Sequence, residues 1–260
     1  MFGVFLGIFQ NVLAQEKAFH IGLAGVFSNN WILNQNNFGT LDGFNNNFAK
    51  RSELDYALTF GGGAGIDVGY NISNRHGIQS GVYILKQGQR YKDEIGQENY
   101  TTTPTSIDYI EVKRNVKLNY AKIPVLYKFE LVPKRRSIKN VVNYYMSIGP
   151  EIGFLFGVYE KVQIADSNIQ NNLSGVRESE KFRKFDAGLS LNNGVQIHLN
   201  KNVYFNTGLH LYFGLLDING KTIKDLEYFS KNDVKYKPSH NFNASINVGI
   251  HYLFVSKGYY

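Results

Sequence analysis

The chain has 260 residues and a formal net charge of +7, and it contains no cysteine. The length allows one large domain or two small ones, and the missing cysteine excludes disulfide frameworks and thiolate chemistry. Its 18 tyrosines, 19 phenylalanines and 26 glycines favour strands, which are rich in aromatic side chains. No central run reaches the roughly 18 apolar residues of a membrane helix. The composition therefore predicts an all-β protein.

The excess of positive charge does not indicate a nucleic-acid partner, because the basic residues are scattered. The one dense cluster, Lys134-Arg135-Arg136 with Lys139, is expected in a solvated turn.

The first residues are apolar and end in Val12-Leu13-Ala14, as in the core and cleavage site of a signal peptide. No Lys or Arg precedes the apolar stretch, so the prediction is a signal peptide truncated at its start. We predict a signal peptide over 1–14 and one barrel domain over 15–260. The alternative is a buried first strand.

Eight segments alternate apolar residues with small or polar ones, with the period of two that strands show. The last is typical: Phe242, Ile246 and Ile250 share one face, and Asn243 and His251 lie on the other. In chain order, the predicted strands cover about 18–28, 56–70, 77–89, 121–131, 142–159, 184–198, 203–216 and 241–254.

The connections alternate between long and short. Long ones follow the first, third, fifth and seventh strands, and short ones, such as 71–76 and 199–202, follow the others. This predicts an eight-stranded antiparallel transmembrane up-and-down β-barrel with four long extracellular loops and three short periplasmic turns. Aromatic residues near both ends of the apolar faces fit two interfacial girdles. The alternative is a soluble all-β lipid-binding protein.

A polar network is predicted inside the barrel. An eight-stranded barrel is just wide enough to be filled by side chains. The polar groups should therefore pair with one another, and the barrel should conduct few ions. The alternative is a narrow ion path. Strand parity places nine polar residues in the interior: Asp67, Lys86, Lys122, Lys128, Glu151, Asp186, His198, His210 and His251.

Three further features have competing interpretations. The glycine run 61–65 is interpreted as space for larger lumen side chains, because no helix follows to make a phosphate site. His20, His198 and His251 lie at similar depth, but hydrogen-bonded lumen histidines are expected, with no metal and no cofactor. Ser239 and His240 at the loop-side rim raise a hydrolase alternative; no catalytic residue is predicted.

Two stretches carry a family resemblance: Asn119 to Phe129, with its Ile-Pro pair, and Tyr145 to Leu155, with Gly-Pro-x-x-Gly. Asp186-Ala187-Gly188-Leu189, Gly194-Val195 and the tail strand to Phe254 continue it. The chain resembles the PorT-like outer-membrane β-barrel family of Bacteroidetes, some of whose members are implicated in type IX secretion and gliding.

The resemblance implies a non-enzymatic outer-membrane barrel that serves as a structural or accessory component of protein secretion. The expected partners are outer-membrane lipids, the barrel-insertion machinery and protein-secretion components. An autonomous structural or adhesive barrel, or a narrow pore, is the alternative.

Overall fold

The computed structural model describes the strands of the chain and part of their connections. The predicted signal peptide, 1–14, and the basic cluster at 134–139 lie outside the described residues. The described ranges are 18–34, 48–50, 55–73, 75–99, 106–131, 142–164, 178–200, 202–224 and 236–255.

Eight long strands form a closed antiparallel ring in which chain neighbours are sheet neighbours and the last strand pairs with the first. This confirms the predicted up-and-down barrel. The ring consists of β1 (Ala18–Leu33), β4 (Phe60–Asn71), β5 (His76–Asn99), β6 (Ser106–Leu131), β7 (Val142–Ile164), β8 (Phe185–His198), β9 (Val203–Gly214) and β10 (His240–Val255).

Two short strands and two helical turns complete the described elements. Strands β2 (Phe48–Lys50) and β3 (Asp55–Ala57) pair with β5 outside the ring. One-turn helices cover Glu178–Lys181 and Lys221–Lys224. Across the described ranges, we find no helix with the length and apolar character needed to cross a membrane.

The strand register fixes the size of the barrel. A path that starts at Phe19 on β1 and moves from each residue to its directly opposite partner passes Tyr127 and Leu191 and comes back to β1 at Asn29. The two positions on β1 differ by 10 residues (29 minus 19), which is the stagger of the barrel. With about 3.3 Å per residue and about 4.8 Å between strands, this gives a tilt of about 41° and a backbone radius of about 8 Å. A barrel this narrow is filled by its own side chains.

The outer surface carries an apolar belt bounded by aromatic residues. Leu23, Ile66 and Leu209 in its middle are 63%, 52% and 62% exposed. On β10 the belt runs from Tyr252 to Phe242, ten residues along the tilted strand, which corresponds to about 25 Å of height. That matches the apolar band of outer-membrane barrels, and both predicted girdles are present.

The prediction of a long loop between the third and fourth strands is wrong. The β5–β6 pairing continues to Asn99 and Ser106, so only 100–105 separate the two strands. Alternation persists there, with Arg90 and Lys92 exposed and Tyr91 buried. Because charged residues replace apolar ones on the outer face, the segment looked like a loop.

The predicted second strand is interrupted at Leu58 and Thr59. The Thr59 hydroxyl donates to the Ala57 carbonyl at 2.8 Å and accepts from the Arg90 backbone N–H at 2.8 Å. These bonds take the place of regular pairing at this point of the strand.

Inward glycines make room for large lumen side chains, as predicted, although the side chains come from adjacent strands. A Cβ on Gly65 would lie 2.5 Å from Cδ1 of Tyr83 on β5. A Cβ on Gly22 would lie 2.3 Å from the His251 ring on β10. The glycines therefore let these rings lie flat against the neighbouring strand.

We expect Gly65→Ala to destabilise the barrel by about 1–3 kcal/mol, because the added methyl group overlaps the Tyr83 ring. Gly25→Ala is the matched control: Gly25 faces outward, and its nearest contact would be at 3.9 Å. Urea unfolding of both variants in lipid vesicles measures the difference. Equal stabilities would contradict the assigned packing of Tyr83.

Candidate functional site

The centre of the lumen holds a buried ion pair between β6 and β7. Lys122 Nζ lies 2.9 Å from Glu151 Oε1, and both side chains are nearly inaccessible. The other carboxylate oxygen of Glu151 accepts a hydrogen bond from Ser190 Oγ at 2.6 Å and lies 3.3 Å from His210 Nε2. Lys122 Nζ also lies 3.3 Å from the centre of the Tyr212 ring. The glutamate therefore has partners on three other strands.

A second carboxylate, Asp67, lies nearer the short-turn end. The Tyr83 hydroxyl donates to it, and His251 Nε2 is 3.8 Å from its Oδ2. His251 Nε2 also pairs with Asn206 Oδ1 at 3.1 Å. This histidine is thus one of the hydrogen-bonded lumen residues that the sequence predicted.

The turn-side end of the lumen is closed by another ion pair. Lys128 Nζ lies 2.6 Å from Glu130 on the same strand. Beside it, Asn143 Nδ2 donates to the ring of the half-buried His198 at 3.3 Å.

Asp186 occupies the loop-side end of the lumen. It accepts a hydrogen bond from Asn241 Nδ2 at 2.8 Å, and the same amide lies 3.2 Å from the Tyr120 hydroxyl. Asp186 itself is completely buried.

One predicted lumen residue is misplaced. Lys86 is exposed and lies on the outer face, because Leu85 and Gln87 on either side of it are buried. The expectation had assumed the opposite parity for this strand. The other eight predicted residues lie on the inner face, seven of them buried and His198 half-buried.

The filled interior leaves little free space. A cavity of about 30 Å³ lies among Asp67, Tyr83, Lys122, Glu151 and His210, which is room for very few water molecules. Among the described residues, we find no group of three or more His, Asp or Glu side chains arranged to hold a metal ion.

The loop-side mouth is closed by a lid that the sequence analysis missed. Phe182, which precedes β8, and Ile218, which follows β9, are 2% and 0% exposed. Both belong to an apolar cluster with residues at the mouth of the barrel. The other members are Ile32, Tyr91, Val116, Leu118, Tyr120 and Leu155. Single apolar residues in otherwise polar loops were the only sequence signal for it.

Backbone hydrogen bonds join the two halves of the lid. The Arg183 N–H donates to the Ile218 carbonyl, and the Gly220 N–H donates to the Lys181 carbonyl, both at 2.7 Å. Glu160 of β7 pairs with Arg114 and, at 3.2 Å, with Lys181. The lid is therefore attached to the barrel wall by charged groups as well as by apolar packing.

Asp217 organises the second half of the lid. Its carboxylate accepts hydrogen bonds from the Tyr236 hydroxyl at 2.5 Å and from the backbone N–H groups of Asn219 and Ser239 at 3.1 and 3.0 Å. Lys224 Nζ lies 2.8 Å away. Partial burial alone would raise the pKa of Asp217, but these partners outweigh it and hold the pKa below its usual range.

The lowered pKa predicts that acid loosens the lid. The stabilisation from Asp217 is present above the carboxyl's unfolded pKa of about 3.9 and is lost as the pH falls through the lower folded value. Hydrogen exchange of the lid amides should therefore accelerate below about pH 4 relative to barrel amides. Asp217→Asn should remove this pH dependence; a variant that keeps it would show that another group is responsible.

The pair considered for hydrolase chemistry is not assembled. Ser239 is fully buried under the lid, and its hydroxyl accepts from Asn219 Nδ2 at 2.9 Å. The ring of His240 instead stacks on Phe213 at the rim, with 6.1 Å between ring centres. Serine and histidine therefore point to different sides of the strand.

A family model described as "Outer membrane protein beta-barrel domain" matches residues 13–220. The chain belongs to this family. It is an outer-membrane β-barrel protein, and its long connections and lid lie on the extracellular side, where such barrels carry their long loops. No curated protein matches the chain.

Solved outer-membrane barrels are similar to this outer-membrane barrel over nearly their whole length. OprG from Pseudomonas aeruginosa is 12% identical with a TM-score of 0.42, and covers 94% of this chain and 97% of its own. Neisserial surface protein A is 12% identical with a TM-score of 0.43, over 91% and 99%. Ail of Yersinia pestis is 10% identical with a TM-score of 0.32, over 92% and 99%.

Proposed function

We propose that this outer-membrane barrel is non-enzymatic and acts by contact, through its extracellular end, as an accessory component of protein secretion. The observation that carries the proposal is the filled and capped lumen. The buried Lys122–Glu151 pair and the Phe182–Ile218 lid lie one above the other. A barrel of this kind offers its outer surface and its extracellular end to partners, and not its interior.

The charge arrangement inside the barrel supports contact over conduction. An ion crossing the lumen would have to separate Lys122 from Glu151 and pass the apolar lid. Breaking a buried ion pair costs several kcal/mol. We expect the protein to give no stepwise current in planar bilayers; regular single-channel steps would favour the narrow-pore alternative.

The extracellular wall supplies a surface for a partner. Between Lys86 and Asn99, β5 adds about 40 Å of strand, at about 3.3 Å per residue, and it stays paired with β6 throughout. Strand β7 continues this wall to Ile164. Paired strands of this length give a partner a rigid surface, whereas a flexible loop would lose entropy on binding.

The resemblance to PorT-like proteins supports the secretion role in particular. The two sequence stretches that carry this resemblance, 119–129 and 145–155, lie side by side in the barrel, because Pro124 of β6 pairs with Glu151 of β7. Proline has no backbone N–H to donate to the neighbouring strand. At this position the Pro124 carbonyl instead accepts a hydrogen bond from the Ser80 hydroxyl at 2.7 Å. The shared motifs thus maintain a barrel wall, and the secretion role rests on the family likeness.

Comparative proteomics of the medium and cell surface from a strain lacking the gene tests the proposal. Retention in the periplasm of many normally secreted proteins is the expected result. An unchanged secretome would contradict a secretion role and favour the autonomous structural or adhesive barrel.

A hairpin variant makes this test sharper. Replacing residues 94–111 with an Asn-Gly turn shortens the extracellular wall and leaves the lid cluster in place. If contact occurs through this wall, the variant should fold, as judged by heat-modifiable migration on a detergent gel, and fail to restore secretion. Full restoration would exclude the hairpin tip as the contact surface.

A further inference from the structure

We propose that a basic cluster on the outer face of β5, β6 and β7 binds the phosphate groups of an outer-leaflet lipid. The cluster consists of Lys86, Arg90, Lys117 and Lys161, all exposed. The inference depends on the barrel's place in the outer membrane and not on a secretion role.

The cluster interrupts the extracellular aromatic girdle. Neighbouring strands contribute contacting rings to this girdle: Trp31 and Phe242 have ring centres 5.3 Å apart, and those of Phe154 and Phe185 are 5.5 Å apart. On β5 the next outward residue after the apolar Ile84 is Lys86. At the level where the other six strands carry Trp31, Phe60, Phe154, Phe185, Phe213 and Phe242, strand β5 carries Lys86, and β6 carries Asn119 and, two residues higher, Lys117.

The strand register brings the four cations together. Lys117 lies opposite Gly88, between Lys86 and Arg90 on the same face. Lys86 and Arg90 are therefore both diagonal neighbours of Lys117 across the strand pair, a separation of about 7–8 Å between residues. Lys161 pairs with Asn115, two residues from Lys117, and occupies the third diagonal position. Lys117 is thus surrounded by three other cations.

Among the residues whose side chains the structure describes, these cations have no anionic partner. Within the described part of the chain, none of the four side chains takes part in a hydrogen bond or an ion pair. Like charges this close repel one another, so the cluster is a net cost to the free barrel. An anion bound from outside would relieve that repulsion.

The depth of the cluster identifies the anion as a lipid phosphate. At a tilt of about 41°, each residue rises about 2.5 Å along the barrel axis, and directly opposite residues on β5 and β6 differ by about 3 Å in height. Lys86 therefore lies about 5 Å above Ile84, and Lys117, opposite Gly88, about 13 Å above it. The polar headgroup zone occupies roughly the first 5–8 Å beyond the hydrocarbon. Lysine stems can cover apolar chains while their ammonium groups reach this zone. Arg90 adds a donor fork suited to two phosphate oxygens.

Lipid A carrying two phosphates is the probe for the test. The barrel, purified and refolded in a neutral detergent, is titrated with bisphosphorylated lipid A and with the same lipid after removal of both phosphates, and bound lipid is counted by native mass spectrometry. We expect at least tenfold weaker binding of the phosphate-free lipid. Equal binding of the two lipids would overturn the proposal.

Charge-removal variants locate the site. With roughly fivefold in affinity for each cation near an anionic headgroup, Lys86→Gln, Arg90→Gln and Lys117→Gln together should weaken binding by about 100-fold. The matched control, Arg183→Gln, Lys184→Gln and Lys237→Gln, removes the same charge from exposed residues elsewhere at this end, and should bind like the wild type.

Both variants change exposed side chains, and heat-modifiable migration confirms that each is folded. Wild-type binding by the first triple variant would overturn the site, as would equal losses in both variants, which would show an effect of net charge alone. Phosphatidylglycerol, with one phosphate, should bind more weakly than bisphosphorylated lipid A.

Discussion

Glu151→Gln should lower the free energy of unfolding by about 3–5 kcal/mol, the largest effect we expect from one substitution in the lumen. Glutamine keeps the shape and can still accept from Ser190. It removes the charge that balances Lys122, which is 1% exposed at its side chain, and an uncompensated buried charge is costly. Urea unfolding in lipid vesicles, followed by tryptophan fluorescence of Trp31, measures the change.

Two further variants separate charge from packing. Adding Lys122→Met removes the stranded ammonium group, so the double variant should recover most of the lost stability. Glu180→Gln makes the same chemical change at an exposed carboxylate and should stay within about 0.5 kcal/mol of the wild type. If the double variant were no more stable than the single one, the cost would lie in hydrogen bonding and not in charge.

Phe182→Ala should release the lid while leaving the barrel folded. The Phe182 side chain is 2% exposed within the apolar cluster, and removing a buried phenylalanine ring costs about 3–5 kcal/mol. At about 1.4 kcal/mol per tenfold, the Arg183 and Gly220 amides should exchange at least about 100-fold faster. Hydrogen exchange read by mass spectrometry reports both amides, whose acceptors are Ile218 and Lys181.

Leu215→Ala is the control at the same end of the barrel, because Leu215 is 55% exposed on the lipid-facing side. In the Leu215→Ala variant, the lid amides should exchange at the wild-type rate. We also expect Phe182→Ala to remain non-conducting, since the Lys122–Glu151 network still fills the lumen below. Faster exchange throughout β8 and β9 would contradict the idea of a separable lid.

The alternation of residues predicted the membrane-embedded part of the fold closely. Strands β7 to β10 begin and end within about two residues of the predicted bounds, except that β7 continues to Ile164. In these strands one face contacts lipid and the other the lumen, so apolar and polar residues must alternate. The same parity placed Asp67, Glu151 and Asp186 inside, where they are buried.

Sequence reasoning failed where lipid no longer sets the pattern. Above Lys86, the outer face of β5 and β6 meets headgroups and water, so charged residues alternate with buried ones and the hydropathy contrast disappears. The paired strands reaching Asn99 and Ser106 were therefore taken for a loop. Lys86 was misassigned because the alternation on β5 is weak, so its two faces were assigned with the opposite parity.

Residue alternation was enough to predict the barrel, with its strand number, its up-and-down order, its apolar belt and most of its lumen charges, because a period of two records which residues of a strand face lipid. The partners of those charges and the lid became apparent only from the three-dimensional arrangement of the strands. Glu151 meets Ser190 and His210, and Phe182 meets Ile218, through a stagger of 10 residues. Alternation is local, whereas stagger depends on the register of all eight strands together.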